Sequence, residues 1–273
     1  MKRLNNILLL VFILLSINTI SSQEADPIPE HETFTIASSQ VGETRVINVW
    51  TPPAYKNSSE SLPVLYMPDG GIKEDFPHIA NTLAELIEKK KIKPMILVGI
   101  ENTVRKRDLT GFTENENDKK MVSIFGGSDK FRAFIKEELF PEINKRYRTT
   151  DEKSIIGESA AGLFIMETFF LTPEMFNNYI AIDPSIWWNN LYLLKHAKEY
   201  LTKFPDSFQY RKLWFAGSNA PEMSKSIKKL AKIFSKNNLQ NFKWTYSDEP
   251  KESHSTIFRA TKVKALIWTF GQF

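Results

Sequence analysis

The stretch IIGESAAGLF, residues 155–164, decides how this 273-residue chain is read. A strand-like apolar run enters Gly157-Glu158-Ser159, and Ala160, Ala161 and Gly162 then open a helical pattern. A serine at so sharp a strand-to-helix turn carries its Oγ on a strained tip above the sheet, with the next backbone N–H facing a developing oxyanion. Small residues are needed there because strand and helix nearly touch. Ala161 stands where the G-x-S-x-G pattern has its last glycine, one methyl more than the pattern asks for. A second Gly-x-Ser, Gly126-Gly127-Ser128, precedes Asp129 and the series Phe131, Phe134, Ile135, Leu139, Ile143. It reads as a turn and the N-cap of a surface helix.

Outward from the elbow, strand-like runs recur at 34–36, 46–50, 64–67, 95–100, 154–156, 179–182, 213–216 and 242–246. From the third onward most are separated by helical patterns, at 79–90, 129–147, 162–171, 222–235 and 256–270. Strands alternating with helices predict an α/β fold with a mostly parallel central sheet and helices on both faces. The first two strands, joined by a turn at Gly42, form an antiparallel edge. Residues 57–61 and 114–120 read as surface loops. Ligands in such folds bind beyond the carboxyl ends of the strands, which is where Ser159 falls.

Residues 1–22 read as an export signal. Lys2 and Arg3 give a basic start, residues 7–17 are apolar but too few to span a bilayer, and Ser21 or Ser22 offers the cleavage site. Residues 23–273 then form one α/β domain, periplasmic or secreted, with no membrane insertion after cleavage. Loss of Lys2 and Arg3 lowers the net charge from +4 to +2, a mixed balance that does not predict nucleic-acid binding. With no cysteine there are no disulfides, no thiol catalysis and no thiolate metal site. The four histidines, at 31, 78, 196 and 254, show no metal-ligand spacing, so a zinc hydrolase is not expected, and the serine chemistry read below needs no cofactor.

A serine hydroxyl needs a base to take its proton, and the base usually needs a carboxylate to orient it. In the order Ser, acid, His, each following a successive strand, His254 fits the base. His196 sits at helical spacing within LLKHAKEYL and reads as a solvated helix face. Glu222, the carboxylate in the loop after 213–216, is the expected acid. Asp248, Glu249 and Glu252 on the histidine's own loop are the alternatives, as is a Ser–His pair without an acid. Asp69-Gly70-Gly71, after the third strand, stands where a second oxyanion donor belongs.

Several segments together resemble the putative-esterase family of α/β-hydrolases, which includes esterase D-like, feruloyl and acetyl esterases and the siderophore esterases. They are VLYMPDG, ENTVRKRDLT, GGSDKF with FIKEELFPEINKRYRT, IIGESAAGLF, DPSIWW and ESHSTIF, and they cover about residues 32–270. The resemblance implies an α/β-hydrolase fold, Ser159 as nucleophile, His254 as base, and backbone donors at Gly71 and Ala160. The siderophore-esterase branch is the most similar, and there RxRDLT and SPSxWW-like segments border the pocket. Arg105, Arg107, Trp187 and Trp188 are accordingly expected around a small-molecule ester of anionic or catecholate character. The bland counterpart is an Arg107–Asp108 loop clamp with tryptophans filling the core. Glu158 stands where the family commonly has His or Gln, and Ala220 about where feruloyl esterases carry their acid. The expected function is an exported serine esterase working through an acyl-enzyme. An acyltransferase of the same fold, or a binding module derived from it, is the alternative.

Overall fold

A computed structural model describes residues 26–204, 210–237 and 242–271. The expected export signal lies outside the described residues. Eight strands, β1 (Glu32–Ser38), β2 (Glu43–Trp50), β3 (Leu62–Pro68), β4 (Ile96–Ile100), β5 (Thr149–Glu158), β6 (Asn178–Ile182), β7 (Arg211–Gly217) and β8 (Phe242–Asp248), share one sheet in the order β1-β2-β4-β3-β5-β6-β7-β8. The β1–β2 and β2–β4 pairings are antiparallel and all the others parallel. This is the expected α/β architecture with its antiparallel edge.

The helices are α1 (Phe76–Glu88), α2 (Arg105–Leu109), α3 (Glu116–Met121), α4 (Ser128–Ala133), α5 (Phe140–Arg146), α6 (Ala160–Leu171), α7 (Trp188–Thr202), α8 (Pro221–Lys236) and α9 (Ile257–Phe270). Successive strand residues face opposite ways, and the two cores follow from that. Leu65, Met67, Ile156, Ile180 and Trp214 pack with α1 and α9. Val64, Tyr66, Ile155, Tyr179 and Phe215 pack on the other face with α4 to α8. Helix α6 is apolar almost all round because it is buried behind the elbow.

Three local readings differ. Residues 114–120, expected as a loop, hold α3, whose start is capped by the Asn115 side chain accepting from Asn117 N–H. The helix expected over 129–147 is interrupted between α4 and α5 by a π-helical segment, Phe134–Leu139. Ser128 is the first residue of α4 rather than its cap, and it is buried, its Oγ donating to Glu167 at 3.2 Å. A buried ionic cluster fixes the segment before it. Arg45, with no solvent exposure, pairs with Asp108 at 2.6 Å and Glu43 at 2.8 Å, and so ties α2 to β2.

Candidate active site

Three neighbouring parallel strands end in the same unusual way. Asp69 after β3, Ser159 after β5 and Asp183 after β6 all have positive φ (57°, 60° and 42°) although none is glycine. Such conformations cost about 1–3 kcal/mol each and persist only where the surroundings over-determine them. The surroundings do so here. Asp69 accepts from Arg105 Nε and Nη2 at 2.5 and 2.6 Å. The Ser159 N–H donates to Ile182 O, and the Ser159 carbonyl accepts from Leu163 and Ser185. The Asp183 carboxylate accepts from Ser218 N–H at 2.9 Å and Ser218 Oγ at 2.7 Å.

At the elbow, a Cβ added to Gly157 would stand 2.7 Å from the Cβ of Ala161. Gly157 therefore leaves the room that the extra methyl of Ala161 occupies, and the departure from G-x-S-x-G is accommodated.

The side chains of Ser159, His254 and Asp183 form a continuous relay. Ser159 Oγ lies 3.1 Å from His254 Nε2, and His254 Nδ1 lies 2.7 Å from Asp183 Oδ2. The carboxylate fixes the tautomer: Nδ1 carries the proton it donates to Asp183, leaving Nε2 free to accept from the serine. Asp183 has no solvent exposure, while the imidazole is half-exposed. The structure thus corrects the expected acid. Glu222 is the second residue of α8, behind Pro221, and Asp183 holds the position on the imidazole. Of the alternatives, Asp248 accepts from Tyr246 and pairs with Lys228, Glu249 engages Ser247 and Lys264, and Glu252 accepts from Thr256. The reason is sheet order. β6 is the immediate neighbour of β5, so its tip stands beside the elbow, while β7 is one strand further away. The available signal was the acid that directly follows strand 179–182 in DPSIWW.

The other expected residues divide. Ala160 opens α6, and as the first helical residue its N–H has no acceptor within the helix. The Gly71 N–H is engaged by Glu74 Oε2 at 2.7 Å. Arg105 is clamped on Asp69 with a third of its side chain exposed. Arg107 pairs with Glu43 at 2.6 Å and Asp108 at 2.7 Å, so the loop-clamp reading describes it. Trp188 is buried and donates its indole N–H to Gly111 O at 2.9 Å, filling core, while Trp187 is only partly buried. His196 borders a separate cavity of about 690 Å³, walled also by Arg132, Glu167 and Asn189, to which none of Ser159, Asp183 and His254 contributes.

Two groups at the site have shifted acidity. The hydrogen bond to Asp183 raises His254 above its usual value against the opposing effect of burial, and the Glu158 charge adds to the rise. Burial pushes Glu158 up to about 7; His254 opposes this, and Asp75, Asp183 and Asp69 reinforce it. Glu158 Oε1 is buried without a hydrogen-bond partner.

Residues 38–254 match the model of the family described as Putative esterase. The chain belongs to that family. Within the putative-esterase family, it is 28% identical over 196 residues to the ferri-bacillibactin esterase BesA of Bacillus subtilis, covering 62% of this chain and 66% of that one. The match thus spans just under two thirds of that relative's length. The IroE-like serine hydrolase from Shewanella oneidensis superposes with a TM-score of 0.78 at 26% identity, over 88% of this chain and 79% of its own. The BES protein from Bacillus cereus superposes with a TM-score of 0.80 at 22% identity, over 90% and 98%, and shares the fold. The fold is that of the α/β-hydrolases, as the sequence segments implied.

Asp183→Asn is expected to keep the fold and to lower kcat by up to about 10⁴, the cost of losing the tautomer-holding carboxylate in triads generally. Glu222→Gln is expected to stay within a few-fold of the parent. Steady-state kinetics on the two purified variants decide, and the opposite ranking would return the acid to α8. A second expectation concerns stability. Because the folded-state value of Glu158, about 7, lies above its ordinary 4.5, its contribution is complete below about pH 4.5 and is lost as pH rises through 7. Glu158→Gln removes that loss, so its melting temperature relative to the parent should increase between pH 5 and pH 8. Equal differences at both pH values would show that the carboxyl is not destabilised by burial.

Proposed function

We propose that this protein is an exported serine esterase that hydrolyses small-molecule carboxylic esters through an acyl-enzyme, without a cofactor. The observation that carries this reading is the Ser159–His254–Asp183 relay, at 3.1 and 2.7 Å, set on a strained elbow at the carboxyl end of the sheet. His254 Nε2 takes the Ser159 proton as Oγ bonds to the ester carbonyl carbon. The carbonyl oxygen gains the negative charge and is held by backbone N–H groups, that of Ala160 first among them. Asp183 steadies the imidazolium through Nδ1. The tetrahedral intermediate then collapses, the ester C–O bond breaks, and the leaving alkoxide takes the proton from Nε2. Water repeats the sequence on the acyl-serine, giving its proton to His254, and releases the acid with Ser159 restored.

The substrate class we favour is an aryl or siderophore-type ester. Support comes from the similarity to the ferri-bacillibactin esterase of Bacillus subtilis, and from Arg105 and Trp187, which are partly exposed on the segments expected to border the pocket. The Arg107 guanidinium is held by Glu43 and Asp108 and is not offered to such a substrate.

A fluorophosphonate probe should label the parent protein at Ser159 and leave Ser159→Ala unlabelled. Across aryl, feruloyl, acetyl-sugar and siderophore esters, the parent should turn over at least one, and Ser159→Ala should lose about 10⁶ in kcat, the scale of nucleophile loss in a triad. Near-normal turnover by that variant would end the serine mechanism. Export is checked separately by sequencing the N-terminus of protein recovered outside the cytoplasm. The expected start is Ser22 or Gln23, and a retained Met1 would refute signal cleavage.

A further inference from the structure

The second donor expected for the oxyanion is already occupied by the protein itself. Gly71 N–H donates to Glu74 Oε2 at 2.7 Å. From the other side Asn102 donates its Nδ2 to Glu74 Oε1 at 2.7 Å, and its backbone N–H lies 3.4 Å from Oε2. Three N–H donors, two from the backbone and one from the Asn102 side chain, therefore converge on one carboxylate. The fit is close, since a Cβ built on Gly71 would stand 2.9 Å from Glu74 Oε2.

A reach from a glutamate back to the N–H three residues earlier is also how a capping box finishes a helix start. That purpose is missing here. The turn at 71–75 precedes α1, which begins at Phe76 with Asp75 at its cap. The Asp75 carbonyl receives the Ile79 N–H without help from Glu74. The loop backbone is also pinned without Glu74. Gly70 N–H donates to Ile100 O at 2.9 Å, and the buried Asn48 donates to Gly70 O at 3.0 Å.

We propose that Glu74 is an internal competitor for the oxyanion donor: it occupies the Gly71 N–H in the free protein and turns out to solvent when an ester carbonyl takes its place. This rests on the serine esterase reading above. The tetrahedral intermediate carries its charge on the former carbonyl oxygen, and a carboxylate and an oxyanion on the same N–H repel each other. Glu74 is only partly buried, so an exit to solvent is open to it. In this role Glu74 is a positioning residue that acts through Gly71, and it makes acylation dependent on a substrate that displaces it.

The test compares the parent with Glu74→Ala and Glu74→Gln, using p-nitrophenyl acetate as substrate. Phenylboronic acid serves as the binding probe, because it forms a tetrahedral anion on the serine oxygen. Glu74→Ala is expected to raise kcat/KM on the order of 10-fold and to tighten boronate binding by a similar factor, since a charge-assisted hydrogen bond no longer has to be broken. Glu74→Gln, whose neutral amide oxygen is a weaker acceptor, should fall between the two, and it keeps the side-chain shape if the alanine variant folds poorly. Folded variants with unchanged or lower kcat/KM and boronate affinity would overturn the inference while leaving the esterase reading intact. A parent protein that neither hydrolyses the ester nor binds the boronate would remove both.

Discussion

The site depends on one constraint: three adjacent strand tips, at Asp69, Ser159 and Asp183, are held in backbone conformations that their side chains disfavour. Side by side in a parallel sheet, the three tips open toward the same edge. Each is locked by contacts that a relaxed tip would lose. Asp69 has the Arg105 fork, Ser159 has backbone bonds to Ile182 and Ser185, and Asp183 has both donors of Ser218. The strain is therefore held by contacts that tie each tip to α2 and to the neighbouring strands and the residues that follow them. That is the rigid support a relay of short hydrogen bonds requires.

Charge is distributed to match. Asp183 is fully buried, and two Ser218 donors and the imidazole together satisfy its oxygens. Glu158, one residue before the nucleophile, is in the opposite condition, with a buried oxygen that has no donor at all. Two carboxyl groups near the same histidine thus stand in opposite surroundings, Asp183 with every oxygen partnered and Glu158 with one oxygen left without a donor. Further out, the pairing of Arg45 and Arg107 with Glu43 and Asp108 fixes the segment that carries Arg105. An arginine-rich motif that looks on paper like substrate recognition is in good part a structural brace.

Much of this was legible in the chain. Strand runs and helix periods gave the parallel sheet and its antiparallel edge, because period 2 and period 3.6 survive in any sequence whose faces are buried. Ser159 was readable because an elbow needs its small residues locally. His254 was readable from chain order and from the lack of other suitable histidines. Glu222 was expected in place of Asp183 because sheet neighbourhood is a long-range property: the sequence order of strands does not say which tip stands beside which. The hold of Glu74 on Gly71 had a local trace, a glutamate three residues after a glycine, but that trace reads equally well as an ordinary turn. The α3 helix at Glu116–Met121 was hidden in a polar run without an apolar period, where the Asn115 cap carries the signal.

The relay also has a bearing on how the native state is reached. Its three side chains come from just after β5, just after β6 and the segment between β8 and α9, with the serine and histidine 95 residues apart in sequence. Each of the parallel pairings between them needs a helical crossover to close first, and contacts so distant in sequence form late and slowly. The relay therefore exists only once the carboxyl half of the sheet is assembled and α9 is docked behind His254. Recovery of function during refolding would then mark the end of assembly, after helical signal and collapse have already returned.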